Sequence, residues 1–213
     1  LPRVEDPVIV PHDKQYMSSM AASPSMTFLD RKMINVRYKC SARCPSKILC
    51  YNGGYQHPRN CTRCICTDFH SGRFCEKEIG LIEIRKNEPI TVVFNSTGDS
   101  SYRMQHIGWD DFNMDNRVIK AHKDTRIRVT ISLWKTRQSS FARQCYKSCK
   151  DFGLEIADGD LIFTGKKLCC IKKDQQFSFV SNSNVIGYRA YSSRDTSFTV
   201  ALKLSIEPKN SIN

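Results

Sequence analysis

The sequence predicts a mainly β, disulfide-rich chain that is divided into several domains. Its 213 residues include 11 cysteines, seven between Cys40 and Cys75 and four between Cys145 and Cys170. Residues 77–206 contain short segments in which apolar and polar residues alternate, as they do in half-buried strands. Hydrophobic residues make up 40% and charged residues 25%, which excludes disordered and collagen-like chains. No apolar run reaches 18 residues, so no membrane span is predicted.

Residues 1–40 predict an extended start followed by one short helix. Three prolines among the first eleven residues remove amide donors and disfavour helix before them. Thr27, with Asp30 three residues later, resembles a capping box, and apolar residues then recur at spacings of three and four. We therefore predict an amphipathic helix over Phe28–Tyr38. Because the first residues contain neither an initiator Met nor a secretory signal, we expect a processed or truncated chain.

Residues 41–76 contain six cysteines and too few apolar residues for a core, so disulfides must hold this segment. The spacing alone leaves 15 disulfide connectivities open. Cys61 and Cys64 form a CxxC, which could be half of a zinc ribbon. A second CxxC or a histidine pair at a suitable distance is missing, so the sequence does not favour zinc.

Residues 77–206 predict a sandwich of antiparallel sheets, because short alternating strands continue over about 130 residues. Residues 207–213 form a tail. The predicted strands are Pro89–Phe94, Arg126–Leu133, Leu161–Thr164, Phe177–Val180 and Ser197–Leu204.

The six cysteines of residues 41–76 are arranged as in an EGF-like module. Asn52-Gly53-Gly54 follows the second cysteine, a single residue separates the fourth from the fifth, and Gly72 lies three residues before the sixth. This pattern resembles the EGF-like family. The resemblance implies the disulfides Cys44–Cys61, Cys50–Cys64 and Cys66–Cys75, each of which would stabilise the fold by about 2–4 kcal/mol.

The flanking segments resemble two further families. Ile9-Val10-Pro11, Met26–Asp30 and Ile34–Cys40 resemble the C-terminal end of an astacin-family metalloprotease domain. The segment Cys149–Ile156, which ends in Glu155-Ile156, together with Thr164–Cys170 and Ser181–Val185, resembles a CUB domain. The order is similar to that of a nematode-type secreted astacin, and it implies a protease-domain end at 1–40, an EGF-like module at 41–76 and a CUB-like domain at 77–206.

The catalytic motif of that protease family is not in this sequence. The astacin zinc site, HExxHxxGxxH, holds the metal with three histidines and activates water with the glutamate. Here the five histidines are isolated, so zinc belongs to the parent enzyme and we predict no catalytic or metal-binding residue in this segment. Some CUB domains bind calcium. Asp151 and Asp195 match that pattern but its glutamate is not found, so calcium is not favoured.

The remaining cysteines follow from these resemblances. Cys145, Cys149, Cys169 and Cys170 fall in the CUB-like region. A bridge between the adjacent Cys169 and Cys170 would be strained, so we expect crossed pairs between the two clusters, in an order that stays open. Cys40 is left unpaired within this chain. In the astacin pattern this closing cysteine pairs with one near the start of the protease domain, so Cys40 indicates a larger protein.

The partners follow from charge and compartment. Asn60 and Asn95 begin N-glycosylation sequons, which fits the secreted, extracellular location that the cysteines indicate. The net charge is +12, with basic residues in Arg117–Arg128 and Lys166–Lys173. We read these segments as a solvated basic face, with acidic glycans or matrix as the alternative. The chain shows no nucleic-acid-binding signature.

Two functions fit the sequence. The first is the non-catalytic C-terminal portion of a secreted astacin-like zinc metalloendopeptidase, whose EGF-like and CUB modules recognise a protein or peptide substrate, or matrix. The alternative is a stand-alone secreted EGF–CUB binding protein without enzymatic activity. An amphipathic helix with no sheet to cover argues against the alternative.

Overall fold

The computed structural model describes residues 9–12, 16–17, 26–85, 88–97, 112–137, 149, 151–162, 165–169, 177–194 and 196–209. These residues are mainly β, with one α-helix, and they contain four disulfides. No helix in this described part is both long and apolar enough to cross a membrane.

Helix α1 comprises Phe28–Arg37, so the predicted helix is confirmed to within one residue. The capping box is also present. The Asp30 amide donates to the Thr27 hydroxyl (3.2 Å), and the Thr27 amide donates to the Asp30 carboxylate (2.9 Å). These hydrogen bonds hold the pKa of Asp30 below its usual value. Phe28 is the buried residue of the helix and Met33 is exposed, so the buried apolar contact of α1 lies at its start.

The cysteine-rich segment has little regular structure. A 3-10 turn, Cys40–Arg43, precedes two short antiparallel pairs, and Asn52 and Gly53 form a turn with positive φ (49° and 73°). The Asn52 side chain donates to the Cys75 carbonyl at 2.7 Å and closes that turn. The pairs are formed by β1 (Tyr55–Gln56) with β2 (Cys64–Ile65) and by β3 (His70–Ser71) with β4 (Lys77–Glu78).

The rest of the described chain forms two sheets that face each other. The strands are β5 (Ile82–Glu83), β6 (Ile90–Ser96), β7 (Phe112–Lys120), β8 (Thr125–Arg137), β9 (Phe152–Asp158), β10 (Lys166–Leu168), β11 (Ser178–Val180), β12 (Val185–Ser193) and β13 (Ser197–Pro208). A five-stranded sheet has the order β10-β9-β12-β7-β5 and a four-stranded sheet the order β11-β8-β13-β6. All pairs are antiparallel except β5 with β7.

Both sheets contribute to one hydrophobic core. Phe198 of β13 belongs to this core. The centroid of its ring lies 4.8 Å from that of Trp134 of β8 and 5.1 Å from that of Phe152 of β9. Ile127, Leu154, Val200 and Leu204 are among the fully buried residues around it. The two sheets are therefore joined by apolar contacts between facing side chains.

Four of the five predicted strands are confirmed, by β6, β8, β11 and β13. The strand predicted at Leu161–Thr164 is wrong in its described half, because Leu161 and Ile162 form a turn. Gly159 begins this turn with a φ of +80°, and the Asp160 carboxylate accepts the Ile162 amide at 2.9 Å. The apolar Leu161 is buried in a small cluster with Phe69, so its apolar side chain belongs to a turn and not to a strand.

Candidate functional site

Three parts of the chain meet around a cavity of about 170 Å³. One wall is the first turn of α1, the second is the segment between β2 and β3, and the third is the side of the five-stranded sheet that faces away from the core. The turn after β9 closes the cavity. Its lining includes Phe28, Asp68, Phe69, Glu155, Lys167 and Arg189.

The start of α1 is fixed to the cysteine-rich segment by two contacts. The buried ring of Phe28 lies 5.7 Å from the ring of Tyr55. The Lys32 ammonium donates to the Gly53 carbonyl at 2.8 Å. The capped first turn therefore has a defined position at the cavity.

The cysteine-rich segment is fixed to the sheet by Phe69. This ring is buried in a small cluster with Val118, Ala157 and Leu161. Gly187 of β12 leaves room for it, since a Cβ atom there would lie 2.8 Å from two carbons of the Phe69 ring. The glycine is needed because the ring approaches the strand so closely.

Arg189 of β12 forms an ion pair that joins the five-stranded sheet to the cysteine-rich segment. Its guanidinium lies 2.6 Å from the Asp68 carboxylate, and it sits over the Phe69 ring at 6.0 Å from the centroid. Arg189 Nε also donates to the Asn116 side-chain oxygen at 3.2 Å, while the Asn116 amide donates to the Asp68 carbonyl at 3.1 Å. Burial by itself lowers the pKa of Arg189, but the carboxylates of Asp68 and Glu155 outweigh this and raise it.

Glu155 and Lys167 form the inner part of this charged cluster, and the side chain of each is only 4% exposed. Glu155 Oε1 accepts the Gly165 amide at 2.8 Å. Glu155 Oε2 lies 4.0 Å from the Lys167 ammonium and 3.7 Å from the Arg189 guanidinium, and it accepts no hydrogen bond from the described residues. Burial lowers the pKa of Lys167, and nearby Glu155 opposes this only in part.

The chemistry of the cluster is that of a charged clamp. Two cations, Arg189 and Lys167, and two carboxylates, Asp68 and Glu155, interact at the junction between the cysteine-rich segment and the sheet. Burial makes such interactions hard to break, because a lone buried charge is costly. The arrangement can hold the cysteine-rich segment at a fixed angle to the sheet.

The disulfides of the cysteine-rich segment join Cys44 to Cys61, Cys50 to Cys64 and Cys66 to Cys75, with Cα separations of 5.3–5.9 Å. These are the pairs that the EGF-like resemblance implies. A fourth disulfide joins Cys149 to Cys169, one member from each cluster. Cys145 and Cys170 lie outside the described residues. Cys40 is partly exposed and forms no disulfide with a described residue.

The other predicted positions are separated on the surface. Asn60 lies in a turn where its side-chain oxygen accepts from the Thr62 hydroxyl at 2.9 Å, and Asn95 is exposed on β6, accepting from Thr199 at 2.7 Å. Among the described residues, no three His, Cys, Asp or Glu side chains converge as metal ligands would. Asp151 is exposed, and Asp195 lies outside the described residues.

The predicted basic face is wrong for part of its residues. Lys167 is buried in the cluster above. Arg117 bonds Asp115 at 3.0 Å, and Lys120 forms an ion pair with Glu78. Lys172 and Lys173 lie outside the described residues. The charges of Arg117, Lys120 and Lys167 therefore act within the protein.

Asp68 and Arg189 belong to no motif in the sequence, and the basic segment that contains Lys167 predicts a solvated face. One signal was available: Arg189 is a lone charge between residues of a strand that otherwise contains Tyr188, Ala190 and Tyr191. A charge in such a position is rarely buried without a partner. Its partner Asp68 lies far away in sequence, and no spacing rule connects the two.

The fold and this site together define a class of protein, a small disulfide-bonded module fixed on a β-sandwich. No protein-family model matches the chain. The chain is similar to zinc metalloproteinase nas-36 of Caenorhabditis elegans, with 30% identity over 96% of this chain and 32% of the relative. It is also similar to nas-23 (27%, 84% of this chain and 32% of the relative) and nas-38 (27%, 90% and 25%) of the same organism.

These similarities support a relationship to the zinc metalloproteinases, as the resemblances in the sequence indicate. The chain spans about a third of the length of nas-36. Among solved structures, the full extracellular region of zebrafish Gpr126/Adgrg6 matches 61% of this chain and 15% of that chain, with a TM-score of 0.35 and 12% identity. A score this low does not establish a common fold.

Proposed function

We propose that this chain is the non-catalytic part of a secreted astacin-like zinc metalloendopeptidase. In this proposal residues 1–40 end the protease domain, and residues 41–76 and 77–206 are an EGF-like module and a CUB-like domain that bind a protein substrate or matrix. One observation carries the proposal. Similarity to nas-36 continues through 96% of this chain, whereas the sequence of this chain contains no HExxHxxGxxH motif. Zinc is then the cofactor of the catalytic domain.

The clamp supports a positioning role. A module that binds substrate away from the scissile bond raises the effective substrate concentration at the catalytic centre, provided that the geometry allows both to engage. The Asp68–Arg189 ion pair and the buried Phe69 ring limit relative movement of the cysteine-rich segment and the sheet. Limited movement preserves that geometry.

The disulfides support secretion. Disulfides persist in oxidising compartments and are rare in the cytosol, and the described residues contain four of them. The exposed Asn95 sequon is in a position that a glycosyltransferase of the secretory pathway could reach.

The complete reading frame tests the relationship directly. We expect an in-frame HExxHxxGxxH upstream of Leu1. A signal peptide directly before Leu1 would overturn the proposal and favour a stand-alone EGF–CUB binding protein.

Kinetics test the role of the modules. The intact enzyme should be compared with a variant that lacks residues 41–213, on a large protein substrate and on a short peptide. We expect the deletion to raise KM for the protein substrate by about tenfold or more and to leave the peptide kinetics unchanged. Equal changes on both substrates would contradict substrate recognition by the modules. The 213-residue chain alone, with added zinc, is the matched control and should cleave neither substrate.

A further inference from the structure

The outer side of the four-stranded sheet carries a group of cations, Arg126, Arg128, Lys135 and Lys203, which we call the sheet face. Along β8, Ile127 and Val129 are fully buried in the core. Successive side chains of a strand point to opposite sides, so the two arginines lie on the outer side. On β13, Lys203 is exposed between the buried Leu202 and Leu204.

The strand register brings three of these cations close together. Lys203 pairs with Thr130, and Arg128 pairs with Ser205, on adjacent strands. With the usual spacings of strands and residues, the Cα atoms of Arg128 and Lys203 are roughly 8 Å apart. Arg126 lies two residues along β8. Lys135, opposite Thr199, extends the charge toward the other end of the sheet.

The charge of the sheet face is only partly neutralised within the described part of the protein. Glu207 bonds Arg128, and it is the acidic residue on this side of β8 and β13. Arg126, Lys135 and Lys203 form no ion pair with a described residue, and Arg126 Nε has no hydrogen-bond partner there. This differs from Arg117 and Lys120, whose carboxylate partners are adjacent. The sheet face therefore attracts anions.

The neutral residues of the sheet face select among polyanions. Hydroxyl side chains lie between the cations, at Thr91, Thr130, Ser132, Ser178 and Ser205. These groups hydrogen-bond to sugar hydroxyls and sulfate oxygens. The described part of the face carries no aromatic side chain on which nucleic-acid bases could stack.

We infer that the sheet face binds a sulfated polysaccharide. Sulfate groups form charge-assisted hydrogen bonds with Arg and Lys, and a chain with repeated sulfates engages Arg126, Arg128 and Lys203 together. The inference does not rest on the protease relationship, because it uses only the charges and register of the sheet.

Binding of a heparin-derived oligosaccharide to the 213-residue chain tests the inference. The variant with Arg126→Gln, Lys135→Gln and Lys203→Gln should lose about tenfold or more in affinity at physiological salt, and the slope of log affinity against log salt should fall by about 2 to 3. Arg128 is left in place because it pairs with Glu207. The matched control changes Arg43, Arg59 and Arg63, three exposed residues of the cysteine-rich segment, to Gln and should lose less than about twofold.

Three results would overturn the inference: equal loss in both triple variants, equal binding of desulfated heparin, or equal binding of single-stranded DNA. The last two would indicate another ligand or a non-selective attraction to polyanions. Circular dichroism and urea unfolding should show that the variants are folded. If the triple variant is not folded, Lys203→Glu alone, at an exposed position, should still weaken binding, and unchanged binding would count against the inference.

Discussion

At the scale of single residues, Gly187 decides whether Phe69 can reach its site on the sheet. A Cβ atom at position 187 would lie 2.8 Å from two ring carbons of Phe69 and 3.0 Å from Leu161 Cδ2. Both neighbours are buried, so they cannot move into solvent. This contact is therefore a sensitive point of the junction.

We expect Gly187→Ala to destabilise the protein by about 1–3 kcal/mol, because the added methyl group overpacks the junction. Urea unfolding monitored by fluorescence measures the loss. The control is Phe69→Leu, which removes the ring that the methyl group would meet. In the Phe69→Leu background the alanine should cost clearly less, and additive effects in this double-mutant cycle would show that the ring is not the cause.

At the scale of elements, strands were predictable where one side faces the core and the other faces solvent. In β6 and β13 the buried and exposed residues alternate, so the sequence alternates as well. Strand β12 is buried along eight of its nine residues, with the core on one side and Phe69 and the cavity on the other. It contains Arg189 and two serines, Ser192 and Ser193, and its sequence has no alternation to detect.

Prediction of the site is limited because its residues belong to separate elements that meet only in the fold. The resemblance to an EGF-like module implied the three cysteine pairs, whereas the spacing alone left 15 connectivities open. Arg189 and Asp68 meet only through the packing of separate elements. Lys167 looked like a surface residue because Lys166 to Lys173 is basic, and only the fold shows that Glu155 lies beside it.

The disulfide between Cys149 and Cys169 is an element-scale restraint on β9 and β10. It closes a loop with a sequence separation of 20, and the buried Tyr191 hydroxyl donates to the Cys149 carbonyl at 2.7 Å. We expect replacement of both cysteines by serine to lower the free energy of unfolding by about 2–4 kcal/mol. Thermal and urea unfolding measure this loss. Cys40→Ser is the matched control and should have little effect. A similar loss of stability in both variants would contradict a stabilising role of the Cys149–Cys169 disulfide.

At the scale of the whole molecule, the charged clamp predicts that the cysteine-rich segment and the sandwich unfold together. Arg189 interacts with Asp68 on one side of the junction and with Glu155 on the other. The Asp68 side chain is 46% exposed, whereas that of Glu155 is 4% exposed. Loss of the arginine therefore matters most through the carboxylate that stays buried.

We expect Arg189→Gln to destabilise the protein by about 3–5 kcal/mol, because Glu155 loses one of two neighbouring cations. Asp68→Asn should cost only about 0–1 kcal/mol, since its partly exposed carboxylate is solvated. Arg189→Lys keeps the charge but not the planar fork and should be intermediate. Adding Glu155→Gln to Arg189→Gln should not restore the stability, because the buried Lys167 ammonium then loses its neighbouring carboxylate.

Urea unfolding measured by hydrogen exchange in the two parts separately distinguishes a clamp from an ordinary stabilising contact. With the clamp intact, residues 41–76 and the sheets should lose protection at the same urea concentration, as parts of one cooperative unit. In Arg189→Gln the cysteine-rich segment should open independently of the sandwich, while its three disulfides still hold its own loops. If protection is lost together in every variant, Arg189 contributes stability but does not couple the two parts, and the packing of Phe69 alone joins them.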